Sequence, residues 1–284
     1  MTQTLFDITY NVAKELGIVV EGTVTNGTTT TTIDTLLLKD RYEDNYFNSG
    51  TYWHLYDLYS SGGPTNQGEW ARITDFVKNT GTIVRSALSS AADIGDRYAI
   101  ANPEYTLDTM IMNINSALRE IQIPIIDIST VVTDEDKTEY TLPDGVLDQS
   151  ITVWMQRSTT TDNNLWIEYF DWYVAETETG VYKKLIFRTL PPEPYAVKIE
   201  YWQPHPALYL SYDKLAETIS IDRIAVDGAL KCLLWKNAQK SQVDPQLALR
   251  IQELMARSSR LHSRFPVPRP GPKLATYGHT NNFD

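Results

Sequence analysis

The amino-acid sequence predicts an α+β protein, with a helical core of N-terminal, central and C-terminal helices, two inserted antiparallel β regions and an extended C-terminal arm. Three observations predict it. Apolar residues recur at helical spacing near both ends and in the middle of the 284-residue chain. The stretches between them are rich in β-branched and aromatic residues and are broken by turn formers. Prolines stand at every second position from Pro266 to Pro272.

Residues 1–19 form the N-terminal helix of the core, because Leu5, Ile8, Val12 and Leu16 share one helical face, Thr4 can cap its start and Gly17 stops it. Residues 20–101 read as a β domain. Asn26-Gly27 suits a tight hairpin turn, and the five threonines from Thr28 to Thr32 suit a solvated strand. The runs TYWHLYDLY, EWARITDFV, TIVRSAL and DRYAI follow, separated by Gly- and Asn-containing turns. Residues 102–127 hold the central core helix, with Leu107, Met110, Ile111, Ile114, Leu118 and Ile121 as its buried stripe and Pro124 as its end. A second β region covers 128–210, including KTEYTLPDG, SITVWMQR, NLWIEYFDWYVAE, GVYKKLIFR and YAVKIEYWQ. Residues 211–262 make a helical hairpin whose second helix starts at Asp244-Pro245, an N-cap followed by a first-turn proline. The docking arm is 263–284.

The formal net charge is −11, unevenly placed. From Arg223 onward there are ten Lys/Arg and four Asp/Glu, against fifteen and thirty-two before it. A basic end on an acidic body points to an anionic partner, nucleic acid or the acidic face of another protein. Nucleic acid is the weaker candidate, because a few arginines would work against repulsion from the body. No window approaches the roughly 20 apolar residues that cross a bilayer, and the first residues lack a secretory pattern, so synthesis in a cytoplasm without membrane insertion is expected.

Catalytic signatures are missing. There is no phosphate loop, dinucleotide-binding glycine turn, nucleophile elbow or His-Glu-x-x-His helix. His54, His205, His262 and His279 lie far apart in sequence, which makes metal or triad chemistry the lesser reading. Asp134 begins a segment like a calcium loop, but Glu139 replaces its turn glycine and Gly145 its final glutamate. Cys232, the single cysteine, excludes an internal disulfide and reads as a small buried apolar residue. No enzyme activity, cofactor or metal is expected. The aromatics of LWIEYFDWYVAE suit either stacking against sugars or, better, a subunit contact.

At the C-terminal end, Arg250, Arg257 and Arg264 recur at heptad spacing with Arg260 beside them, next to the apolar stripe Leu247, Leu254 and Leu261. In an extended chain, Pro266, Pro268, Pro270 and Pro272 place all their missing N–H groups along one edge. Val267, Arg269, Gly271 and Lys273 keep donors on the other. Such a segment can pair with a sheet edge on one side only. Phe265, Leu274, Tyr277 and Phe283 add apolar anchors. The expected partner-binding set is therefore Arg257, Arg260, Arg264, Phe265, Pro266, Pro268, Arg269, Pro270, Pro272, Lys273, Leu274 and Tyr277.

The stretch GTVTNGTTTTTIDTLLL, GDRYAI leading into INSALREI, then TEYTLPDGV, the helix VDGALKCLLW and the extended arm together resemble the head-to-tail adaptor (connector, or neck) proteins of tailed bacteriophages. The resemblance is one of pattern and order over most of the chain. It implies a structural virion protein at the neck, assembled in the host cytoplasm as a homo-oligomeric, twelvefold ring. Its arms would dock on the portal protein, its other face would meet tail or nozzle proteins, and DNA would pass through the lumen without specific binding. Small adaptors are mainly helical, and 20–101 is an addition to that pattern. The alternatives are a tail-completion or fibre-anchoring virion protein, and a carbohydrate-binding module or glycan hydrolase. A hydrolase would need two carboxyl groups roughly 5 to 9.5 Å apart beside exposed aromatics.

Overall fold

A computed structural model describes residues 3–48, 53–61, 66–134, 136–143, 146, 151–156, 166–176, 183–190, 196–240 and 244–266. They belong to two compact units, one of residues 3–120 with 206–266 and the other of residues within 121–205.

The first unit opens with α1 (Leu5–Glu15), whose Thr4 hydroxyl accepts from the Asp7 amide while Asp7 accepts from the Thr4 amide, a reciprocal capping box. Seven strands follow: β1 (Val19–Thr23), β2 (Asn26–Gly27), β3 (Thr31–Ile33), β4 (His54–Tyr59), β5 (Trp70–Val77), β6 (Thr82–Arg85) and β7 (Arg97–Ala101). They form one antiparallel sheet in the order β1-β7-β4-β5-β6-β3-β2. Alternation along β5 turns Ala71 and Ile73 inward, and a bulge past Ile73 keeps Phe76 facing in as well. Ile73 and Phe76 join Leu38, Phe47, Trp53, Leu55, Ile83, Tyr98 and Ile100 in one buried cluster.

Asn26-Gly27 is not the hairpin turn. The chain reverses over 28–31 instead, where the Thr28 hydroxyl accepts from the Thr30 and Thr31 amides and the Thr28 amide bonds to the Thr31 carbonyl. Gly27 is required by closeness rather than by φ, since a Cβ there would lie 2.8 Å from the Ala92 methyl.

After β7 come α2 (Leu107–Leu118) and, later in the same unit, α3 (Ile221–Gln239) and α4 (Pro245–Arg264). α1, α2 and α4 all pack on α3. Gly228 of α3 lets α1 and α2 approach, because its missing Cβ would sit 3.1 Å from both Val12 and Ile114. Asp244 caps α4 by accepting from the Gln246 and Leu247 amides. α2 ends at Leu118, short of the expected Ile121, because the chain beyond it is extended and enters the second unit's sheet.

The second unit contains β8 (Gln122–Asp127), β9 (Glu139–Thr141), β10 (Thr152–Gln156), β11 (Trp166–Tyr169), β12 (Trp172–Glu176), β13 (Lys183–Phe187) and β14 (Val197–Pro204). They make a four-stranded sheet, β11-β10-β14-β8, and a three-stranded sheet, β12-β13-β9, all antiparallel. Val153, Ile199 and Tyr201 of one sheet share a core with Leu185 and Phe187 of the other. The run expected as one strand, NLWIEYFDWYVAE, is two strands in different sheets with a corner at Phe170-Asp171.

The expected fold class is therefore corrected. The described chain is mostly β-sheet, three antiparallel sheets of fourteen strands with four helices, and not a helical core carrying two β insertions. The helical stripes in the sequence are real, but that of α4 is narrow, burying only Ile251, Leu254 and Ser258. Each β region instead closes a large apolar core of its own.

Candidate functional site at the root of the C-terminal arm

Arg264, Phe265 and Pro266 stand where α4 ends and the arm begins. Along α4 the positions 247, 251, 254, 258, 261 and 265 repeat at alternating spacings of four and three, a seam that faces α3. One seam position is polar. Ser258 is buried and donates to Asp227 Oδ1 of α3 at 2.6 Å, while His262 Nε2 lies 2.8 Å from Asp227 Oδ2. Arg223, one turn earlier on α3, holds its Nε 3.8 Å from the same carboxylate and donates from Nη1 to the Phe265 carbonyl at 3.1 Å. The Phe265 amide donates back to Leu261 O at 2.8 Å, and the Arg264 guanidinium lies 5.2 Å from the Phe265 ring centre. Both the direction and the conformation of the chain at the exit are fixed by these contacts.

Ser258, His262 and Asp227 have the composition of a hydrolytic triad without its wiring. In a working triad the carboxylate and the hydroxyl engage opposite nitrogens of the imidazole. Here both face Nε2, and the hydroxyl donates to the carboxylate. The cluster clamps α4 to α3. Asp227→Ala removes the acceptor of the Ser258 hydroxyl and the carboxylate beside Arg223 Nε, and the expected loss of stability is about 1–3 kcal/mol, read as a lower denaturant midpoint.

Beside the exit lies a groove of about 750 Å³, lined by Gln3, residues 215–220, Arg264, Phe265 and Pro266. Its far wall is fixed to the start of the chain, with the Leu215 amide donating to Gln3 O and the Leu5 and Phe6 amides donating to Asp213 O and Ser211 O. Just before that wall, residues 206–213 form a rigid loop. Asn115 bonds both the amide and the carbonyl of Leu208 at 2.8 Å, and Asp213 Oδ2 accepts from the Tyr209 and Leu210 amides. The Leu210 and Tyr209 amides hold the Asp213 carboxyl below the usual carboxylate range. This pinned backbone turns Tyr209, Leu210 and Tyr212 outward, 67%, 50% and 68% exposed.

The expected partner-binding residues divide three ways. Arg264, Phe265 and Pro266 line the groove, and Arg260 is exposed and makes no hydrogen bond or ion pair among the described residues. Arg257 is bound within its own chain, 2.6 Å from Glu15 Oε2, while Arg250 donates to Glu15 O. Pro268, Arg269, Pro270, Pro272, Lys273, Leu274 and Tyr277 lie outside the described residues, as does His279.

Tyr209, Leu210 and Tyr212 escaped the sequence reading because a non-periodic loop gives no stripe to count. Their one signal is PALYLSYD, four large apolar side chains followed by an Asp able to bond the preceding amides. Elsewhere, the aromatic run of the second unit is divided, with Phe170 and Tyr173 exposed and other rings turned inward. Tyr169 and Trp172 pack on the core, and Lys198 Nζ lies 4.4 Å from the Trp154 ring centre and 5.8 Å from that of Trp166.

No group of three or more His, Cys, Asp or Glu able to hold a metal occurs among the described residues. None of their helices is long and apolar enough to cross a membrane. No family model matches the chain, and no curated protein matches it in sequence.

Proposed function

We propose that this protein is a structural subunit of a virion neck, a ring-forming head-to-tail adaptor that joins portal to tail around the DNA channel and has no catalytic role. One observation carries the reading: the chain leaves α4 through a clamped exit, held by Arg223 at Phe265, beside a groove and two exposed arginines. A chain end that served no contact would need no such clamp. The pinned loop bearing Tyr209, Leu210 and Tyr212 adds a preorganised aromatic surface, the kind that interfaces use, because little entropy is lost on docking. Charge agrees with both roles. A basic end suits an acidic groove on the portal, and an acidic body lets DNA phosphates pass without sticking.

Electron microscopy of the purified protein, and of particles that contain it, tests the reading. Closed rings with a central channel, at the junction of head and tail, are expected. Density confined to a fibre or to the distal tail would instead identify a fibre-anchoring or tail-completion protein.

A further inference from the structure

Within the seven-stranded sheet a charged cluster is sealed from water. Asp57 of β4 is 3% exposed and Arg85 of β6 is 2% exposed. The two do not form an ion pair. Arg85 donates instead to neutral acceptors, the Thr32 hydroxyl and the carbonyls of Thr28, Thr29 and Ser86. The neighbouring carboxylates also have donors: Asp96, just before β7, accepts from the Ser61 and Asp93 amides, and Glu69, just before β5, accepts from the Ser89 amide and hydroxyl. Asp57 differs from both: the Tyr59 amide bonds its carboxyl, yet its Oδ1 is buried without a hydrogen-bond partner among the described residues.

Its position matters as much as its burial. The β4–β7 pairing runs in register from His54↔Ala101 to Asp57↔Tyr98, then slips, so that Tyr59 faces Arg97. Asp57 therefore sits at the bulge that ends regular pairing, and its own carbonyl accepts from the Gly68 amide. A bulge has fewer ladder bonds to hold it than regular sheet, so it is where a buried charge can most readily reach water.

We propose that Asp57 is a proton-operated catch on the β4–β7 seam, which when protonated keeps the bulge closed and when ionised frees residues 59–61 from Asp96 and Arg97. The charged groups facing it are Asp96, Arg85 and Glu69; Asp96 and Glu69 oppose its ionisation, while Arg85 and the neutral Tyr59 amide favour it, and burial outweighs both. Burial first, and Asp96 second, push its carboxyl up to about 7. In an opened segment the same carboxyl titrates near 4, as in a model peptide. Opening thus releases a proton across this window and becomes about tenfold more favourable per pH unit from about pH 4 to 7, with no further gain above. The device closes in acid and loosens toward neutrality.

Hydrogen exchange on the full-length protein, corrected for intrinsic rates, tests this at the Ser61 and Gly68 amides. Protection is expected to fall roughly a hundredfold from pH 5 to 7 and then level off, and Asp57→Asn is expected to abolish the fall. Equal pH dependence in wild type and Asp57→Asn would overturn the proposal, as would a wild type with no such dependence. Should the variant not fold, carbon-13 NMR of the wild-type Asp57 carboxyl decides. Titration near 7 in step with the exchange supports the catch, and an ordinary carboxyl value removes it.

Discussion

Phe47→Ala lowers the stability of the first unit by about 3–5 kcal/mol, the largest loss expected from truncating one side chain. Phe47 is fully buried, and its ring centre lies 4.8 Å from that of Tyr42, 4.9 Å from Phe76, 5.0 Å from Trp53 and 5.1 Å from Tyr46. Most of these contacts are edge-on, the arrangement in which ring quadrupoles attract. Removing the ring leaves a void that four large, interlocked neighbours fill poorly, so both transfer and cavity effects count. Phe47→Leu keeps most of the volume and is expected to cost less than half as much. Chemical denaturation followed by tryptophan fluorescence measures both, since Trp53 reports from the same cluster. A loss below about 1 kcal/mol for the alanine variant would mean that this cluster does not hold the sheet together.

Asp34→Ala is expected to cost on the order of 4 kcal/mol, for a polar reason. Asp34 is buried, and one carboxylate accepts four donors: Tyr98 Oη at 2.9 Å, the Thr23 amide at 3.2 Å, the Leu36 amide at 2.9 Å and the Leu37 amide at 2.8 Å. It ties β1, β7 and the turn after β3 to one point. Gly22 permits this, since a Cβ there would stand 2.4 Å from the Tyr98 hydroxyl and 2.7 Å from Asp34 Oδ2. Alanine removes the acceptor and leaves the donors behind, the costly half of a hydrogen-bond deletion. Tyr98→Phe removes one donor and leaves the carboxylate its other three, and is expected to cost about 1 kcal/mol. Thermal melts of the two variants in parallel check the order. A Tyr98→Phe loss equal to that of Asp34→Ala would show that the phenol bond alone matters.

Local features of this fold were legible in the sequence. Thr4 and the Asp244-Pro245 pair begin helices because capping depends on residues within one turn. Cys232 is a buried apolar residue, its thiol pushed up to about 12 by burial, as its setting in ALKCLLW suggests. Long-range pairing was not legible. Nothing near Thr31 says that β3 lies against β6 rather than a sequence neighbour, and nothing in NLWIEYFDWYVAE says that the chain changes sheets at Phe170. Periodicity identifies a buried face but not how large a core it joins, so helical spacing does not reveal that the sheets hold the larger cores. At the arm root the sequence marked Arg264, Phe265 and Pro266 by charge and proline spacing. It could not show that Arg257 would turn to Glu15, or that Ser258 in the seam would find Asp227 across it.

The claim that the arm leaves a fixed root to bind a surface outside its own subunit is tested most directly by a chain that stops at Pro266. That protein retains the Arg223–Phe265 clamp and is expected to match the melting temperature of the full chain. Mixed with portal protein, it should fail to co-sediment, while the full-length chain does so. A truncated chain that joins the portal as well as the intact one would contradict the claim.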